Sequence, residues 1–542
     1  MPSRHGPAPL AIVNGAVFTA NPDHAWAEAV GLDGGLVTAV GSSRDVLAAL
    51  PEADVIEAGG RTVLPGLIDA HNHFLATGES LSAIDVRYPV VSSVDELVAV
   101  IASAAAGQPP GSYVHAYGFD HAKYARSPTR WDLDPVSASN PVLIGHVSGH
   151  YVLANSAAMR ERGVAETASD PPGGMLDRDE AGRLTGMFRD AAMGMIQPTA
   201  VDIGHHGPNF HLAAELEDLV AAIDRAGRAY LAAGLTTVCD AQVSSRELIG
   251  YREARRQGRL HLRTVCMPLS HQLENYEAIG LAGPFGDDWL SIGPMKFYCD
   301  GSLIGGTAAF TTPYGTDDEF GGVLFWEPAE LQAAIERAHL RGWQIGVHAQ
   351  GDRAIGVVLD AFERAQRAHK SDDPRFRIEH AGFPVPGQLD RMRDLGVVAV
   401  CQPGYLRDSG DDFLDRLSGR AHWLQPLRAM LDRGIHVALS SDSDVASYRP
   451  LDTISAAVLR QSLSGQAIGS DQAVTVEEAV LAHTIGAAYA IRAEDRIGSL
   501  EVGKLADLVI LGGDLFRCDP GNIRELGVAM TVIGGRVAFR SA

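Results

Sequence analysis

Short apolar runs broken by turn residues open the chain. Between Leu10 and Val63 the stretches AIVNGAVFTA, GLVTAVG and DVIEAGGRTVLPG are broken by Gly, Asn or Asp, which predicts a small β-sheet module. The closing stretch Ile497 to Leu511, IGSLEVGKLADLVIL, and the later MTVIGGRVAF carry the same texture. Similar termini around a different middle predict one β-sandwich built from both chain ends, residues 1–62 and 496–542.

Residues 63–495 alternate short buried strands with helix-like segments, the pattern of βα units around a parallel sheet. The strand candidates are TVLPGLIDAHNHF, LTTVCDA, LRTVCM, IGPMKFYCDG, WQIGVHAQGD, FRIEHAG, VVAVCQP and HVALSSDSDV. Helices are expected from Ala213 to Ala233, Pro328 to Arg341 and Arg353 to His369. Eight strands close a barrel, so the predicted fold class is α/β, a (β/α)8 TIM-like barrel. Roughly 150 residues separate the first two candidates, far more than a crossover needs. They hold SYVHAYGFD, NPVLIGHVSGHYVL and the Gly-rich PPGGMLDRDEAGRLTGMF. This predicts a large insertion after strand 1, an inserted subdomain at about 85–210 on the rim where βα loops build active sites.

Composition narrows the function classes. The 542 residues are 46% hydrophobic, 21% charged and 6% aromatic, which supports burial of a large core and disfavours disorder. A net charge of −22 without a basic patch excludes nucleic acid as a partner. Cys239, Cys266, Cys299, Cys401 and Cys518 are scattered singly, as suits a reducing cytoplasm. Met1 to Pro22 shows neither a signal peptide nor a membrane anchor, so the expected location is cytoplasmic, with no membrane partner. The expected partner is a small-molecule substrate, with a homodimer as the assembly the chain allows.

The first strand candidate ends on His71 and His73, at i and i+2 and therefore on one face of a strand. Two imidazoles held rigidly there chelate one cation at little ordering cost. Lys296, His348, His380 and Asp442 fall late in the fourth, fifth, sixth and eighth candidates. A barrel gathers those strand ends on one face, so six metal-competent side chains converge. Neutral imidazole and carboxylate suit Zn²⁺, and a catalytic site keeps one position for water. Lys296, flanked by Met295 and Phe297, is expected to be neutral through burial and to form, with CO₂, a carbamate bridging two metals. Its alternative is an ordinary ion pair with Asp300. Asp442 is expected to take a proton from the attacking water and pass it to the leaving nitrogen, with Asp444 a rival for that role.

LPGLIDAHNHF, Lys296, His348, His380, Asp442 and the closing IGSLEVGKLADLVIL together resemble the amidohydrolase superfamily of metal-dependent hydrolases. The long insertion, GHVSGHYVLANSAAM, GGMLDRDEAGRLTGMFRDAAM, MKFYCDGSLIGGTAAFTTPY and HAQGDRAI look like its YtcJ-like branch, the amidohydrolase family 3 group that includes N-substituted formamide deformylases. The resemblance implies the barrel and sandwich and one or two divalent ions, commonly zinc. It makes His71 and His73 ligands of a first metal, Lys296 a bridging carbamate, and His348 and His380 ligands of a second. It selects Asp442 over Asp444 as ligand and proton shuttle. It also implies that His150 faces the substrate and hydrogen-bonds the oxyanion, with Arg189 and Asp300 as further substrate-binding candidates. Asn72 stands where relatives often carry small or apolar residues, and its side chain is expected to point away.

The remaining motifs read as structure. His205, His206 and His211 lie in a polar loop and are expected in solvent. The glycines of GGMLDRDEAG and GLDGG are turns, since neither fits a phosphate-binding pattern. The expected function is hydrolysis of a C–N bond in a small molecule by metal-activated hydroxide, an N-substituted formamide or similar amide being the first substrate class. Alternatives from the same constellation are a cyclic amide, a carbamate, an ester or a deamination. A non-catalytic regulatory protein that kept the fold is the alternative from another class.

Overall fold

The computed structural model describes residues 8–314 and 320–541. The first seven residues of Met1 to Pro22 and the last residue of the closing segment lie outside them. The parallel strands are labelled in chain order: β1 Leu67–Asn72, β2 Leu235–Val243, β3 Arg263–Pro268, β4 Leu290–Ile292, β5 Met295–Tyr298, β6 Ile345–Ala349, β7 Arg377–His380, β8 Val398–Cys401 and β9 His436–Leu439. β1 to β4 pair in that order as one parallel arc, and β5 to β9 as another. A short antiparallel strand, Phe285–Gly286, borders β4.

The two arcs meet at two seams. Gly293 and Pro294 alone separate β4 from β5, and a parallel bridge joins Leu269, just past β3, to Lys296. On the other side the Asp442 N–H donates to His71 O at 2.9 Å and the His73 N–H to Ser443 O at 2.7 Å. β1 to β3 and β5 to β8 are buried at every position, as continuous apolar strands covered on both faces must be. Helices cover the outside. Asp352–Ala368 turns Ile355, Val358, Leu359, Phe362 and Ala365 inward at helical spacing, and Leu216–Ala232 and Pro328–Leu340 do the same close to their expected positions.

Both chain ends build a pair of sheets. Leu36–Gly41, Ala29–Asp33, Leu10–Val13 and Asp54–Glu57 form one. In the other, Thr62–Pro65 lies between Ala16–Phe18 and Leu508–Leu511, with Val528–Ile533 and Arg536–Arg540 beyond. Val17, Val30, Val63, Leu508 and Val532 share a core between the sheets. Thr62–Pro65 runs directly into β1 through Gly66, where a Cβ would stand 2.2 Å from Thr236 Oγ1. The long segment between β1 and β2 carries a six-stranded sheet, in order Gly174–Arg178, Leu184–Asp190, Tyr151–Ala154, Val142–His146, Val114–Phe119 and Ile84–Asp85. Helix Val94–Ala106 packs Leu97 and Ile101 against it in a core of its own.

Candidate metal centre

β1 delivers His71 and His73 to the C-terminal ends of the parallel strands, where His348, His380 and Asp442 also arrive. His380 closes β7 at φ 74° and Asp442 follows β9 at φ 53°, left-handed positions where the chain turns sharply off the strand. The Nε2 atoms of His71 and His73 stand 3.3 and 3.1 Å from Asp442 Oδ1. Donor atoms of these three buried residues all lie within 4.8 Å of one another. The His348 and His380 rings adjoin them, 4.3 Å apart between centroids, with His380 4.9 Å from His71. Lys296 is fully buried in β5, its Nζ 3.5 Å from His71 Nε2. It makes no ion pair with Asp300, and burial pulls its amine down to about 8 against the attraction of Glu379 and Asp442.

The protein dictates which ring nitrogen is free. His71 Nδ1 donates to Glu379 Oε2 at 2.6 Å, His380 Nδ1 to Gln402 Oε1 at 2.9 Å, and His348 Nε2 to the Gly301 carbonyl at 3.1 Å. Each hydrogen bond fixes a tautomer and leaves the other nitrogen with a lone pair. Burial holds His348 and His380 well below the usual imidazole range, so they are neutral, as ligands must be. Asp442 is held well below the usual carboxylate range: burial opposes ionisation, but His71 and His73 outweigh it. Its Oδ1 is buried without a hydrogen-bond partner, as is His73 Nδ1. A buried carboxylate and imidazoles converging on one point are a donor set that suits a divalent cation.

Above these residues opens a cavity of about 510 Å³, floored by His73, His348, His380 and Asp442 and walled largely by the segment between β1 and β2. His150 lines it, 5.5 Å from the His348 ring, with Nδ1 donating to Asp190 Oδ1 at 2.6 Å. Asp444 lines it too, but Asp442 is the aspartate that stands among the imidazoles. The other two substrate-binding candidates are placed differently from the expectation. The Arg189 guanidinium is held by Asp177 and by Tyr151 Oη at 2.8 Å, so it stands behind a wall residue. Asp300 is fully buried, accepting the N–H groups of Ala309, Gln350 and Gly351 at 2.8–3.0 Å, and burial raises it to about 7. It pins the loop after β5 to the loop after β6. The expectation of a solvated histidine loop also needs correction: His211 is 1% exposed and pairs with Glu247 at 3.0 Å, while His205 and His206 are half-buried against Trp326. Asn72 is buried, with neither side-chain polar atom partnered.

Four residues of the site escaped the sequence reading. Tyr405 donates its hydroxyl to Asp442 Oδ2, and Asp190, Gln402 and Glu379 orient His150, His380 and His71. Glu379 had a signal: a carboxylate inside the buried run RIEH needs a partner, which Arg377 in the same strand supplies at 2.7 Å. A second ligand-competent group, Asp120, His121 and His146, lies in the long segment. There His146 Nδ1 accepts from the Ser148 N–H and its Nε2 faces His121 Nδ1 at 3.1 Å, so its lone pair is spent within the protein. Burial, with Arg189 and Arg416 near by, keeps both rings uncharged in a cation-rich setting that disfavours a metal.

Known proteins resemble this chain throughout. A sequence profile described as the amidohydrolase family matches residues 54–539. An N-substituted formamide deformylase from Arthrobacter pascens is 32% identical over 546 residues, spanning 98% of each chain. The putative amidohydrolase YtcJ from Bacillus subtilis is 26% identical across 97% of this chain and 99% of its own. The crystal structure of an uncharacterized metal-dependent hydrolase from Pyrococcus horikoshii aligns with a TM-score of 0.75 at 26% identity, covering 95% of this chain and 99% of the other. The shared architecture is α/β and TIM-barrel-like.

Proposed function

The chain belongs to the amidohydrolase family and is a metal-dependent hydrolase acting on carbon–nitrogen bonds, and from that premise we propose that its substrate is a small amide, an N-substituted formamide or a close relative. The observation that carries this reading is the convergence of His71, His73 and Asp442 with the two neutral imidazoles of His348 and His380 beside the cavity. We read the two arcs as an eight-stranded barrel, β4 and β5 being one strand, over residues 63–495. Residues 1–62 and 496–542 form a composite sandwich, and about 85–210 an inserted subdomain.

His71, His73 and Asp442 would hold a first zinc ion, and Lys296, His348 and His380 a second. Bound there, the metal supplies Lewis acidity for the carbonyl and lowers the pKa of a water. Lys296 would take part as a carbamate: its ammonium first gives up one proton, and the neutral amine then bonds to CO₂ and releases a second, so a cationic side chain becomes an anionic ligand. Asp442, its Oδ2 held by Tyr405, accepts the proton of the attacking water and returns it to the departing nitrogen. His150, its ring oriented by Asp190 behind it, faces the oxygen that becomes negative. Four buried unpaired cysteines on strands and their ends suit a reducing cytoplasm. The test is metal analysis of the purified protein together with hydrolysis of a formamide and amide panel after zinc loading. One or two zinc ions and released formate or carboxylate are expected; an inert, metal-free protein rejects the reading.

A further inference from the structure

Three of the imidazoles are oriented by partners on the parallel strands or the loops after them: His71 by Glu379, His380 by Gln402 and His348 by the Gly301 carbonyl. His73 has no such partner among the described residues, its Nδ1 being buried and unpaired. What stands against its ring is Phe210, from the long segment between β1 and β2, edge-on at 4.9 Å between centroids and 77° between planes. The same short stretch also reaches His348. Gly207, at φ 148°, lies so close to the Tyr298 ring that a Cβ would stand 2.6 Å from Tyr298 Cδ2. That ring stacks on His348, 4.8 Å between centroids and 29° between planes. The Tyr298 hydroxyl donates to Gln242 Oε1 at 2.5 Å, and the Gln242 amide donates to the Pro208 carbonyl at 2.8 Å and to His211 Nε2 at 3.3 Å. His211 Nδ1 donates in turn to Glu247 at 3.0 Å, at the capped start of helix Ser245–Arg256. The stretch is thereby tied to rigid elements while it touches both sides of the candidate metal centre.

Resting on the metal-centre reading, we infer that Gly207–His211 is a brace for the metal-binding imidazoles. Phe210 positions His73, while Gly207, Pro208 and His211, acting through Gln242 and Tyr298, position His348. Metal retention then depends on a stretch that holds none of the ligands. An imidazole free to turn about its Cβ–Cγ bond points its lone pair away from a bound ion, so loss of an orienting contact costs affinity. A role as cavity wall alone has a different signature. Pro208 and Phe210 line the cavity, and a change confined to the wall alters substrate binding and leaves the metal untouched.

Release of zinc to a chelator, followed without substrate on the zinc-loaded protein, separates the two roles. Phe210→Leu and Gly207→Ala are each expected to lose zinc about 10–100-fold faster than wild type. Their cobalt(II)-substituted forms should show shifted visible absorption bands. His211→Gln keeps an acceptor for Gln242 and a donor for Glu247, so its release rate should stay within about threefold of wild type, whereas His211→Leu should release zinc as fast as Gly207→Ala. The His211 pair carries the test should Gly207→Ala fail to fold. Folded variants with the wild-type release rate and cobalt spectrum, their change confined to KM, overturn the inference. If the wild-type protein takes up neither metal, the metal-centre reading falls instead. The brace is then read from crystal structures of the metal-free Phe210→Leu and His211→Leu proteins, where His73 and His348 rings that keep their wild-type orientation overturn it.

Discussion

His71 is held at Nδ1 by Glu379 and turns Nε2 toward Asp442 and Lys296, while His73 reaches Asp442 with nothing behind its Nδ1. His73→Ala is therefore expected to lower metal content and cut activity by at least about 100-fold, measured by elemental analysis and turnover. Normal metal and full activity would contradict the assignment. Asp442→Asn keeps an oxygen for the metal but loses the proton acceptor, so kcat should fall by roughly 10²–10⁴ with metal largely retained. Glu379 gives a pH prediction. Burial opposes its ionisation, yet Arg377 and His71 hold it well below the usual value of 4.5. The unfolded chain then binds the extra proton in acid, so this contribution to stability is present above about pH 4.5 and lost as pH falls below it. Glu379→Gln leaves Arg377 buried without its counter-ion, at a cost of about 3–5 kcal/mol. It should also flatten the acid limb of a melting-temperature profile, and an unchanged limb would rule Glu379 out as its source.

The helix Phe74–Ser80 begins at His73 and rests on Leu216–Ala232 so closely that a Cβ on Gly78 would stand 2.1 Å from the Ala222 carbonyl oxygen. Gly78→Ala should push this helix outward, costing about 1–3 kcal/mol in urea unfolding and loosening His73. Unchanged stability would show that the helix is free to shift. The parallel strands and three covering helices were legible because buried apolar runs and helical periodicity are local signals. So was the i, i+2 pair His71 and His73. What was not legible lies in contacts across the chain: Tyr405 reaches Asp442 from 37 positions away, and Asp190 reaches His150 from 40. Arg189 and Asp300 were substrate candidates through the family resemblance, but pairing with Asp177 and with three backbone N–H groups decides where they go.

At the scale of the molecule, Asp507 ties the parallel strands to the terminal sheets. It takes Arg263 of β3 in a bidentate pair at 2.5 and 2.9 Å, both residues nearly fully buried, and accepts the Gly534 N–H at 2.7 Å. Asp507→Ala leaves the Arg263 charge stranded and should cost about 3–5 kcal/mol, seen as a lower midpoint in denaturant. A midpoint within error of wild type would mean that the junction is held by the apolar core alone. The same junction has a consequence for how the chain comes to order during synthesis. Thr62–Pro65, which continues into the strand bearing His71 and His73, pairs on one side with Leu508–Leu511, made more than 440 positions later. A ribosome therefore releases His71 and His73 long before their anchoring sheet can form, so ordering of the candidate metal centre is a late event and the nascent chain carries an open strand edge until Leu508–Leu511 is made.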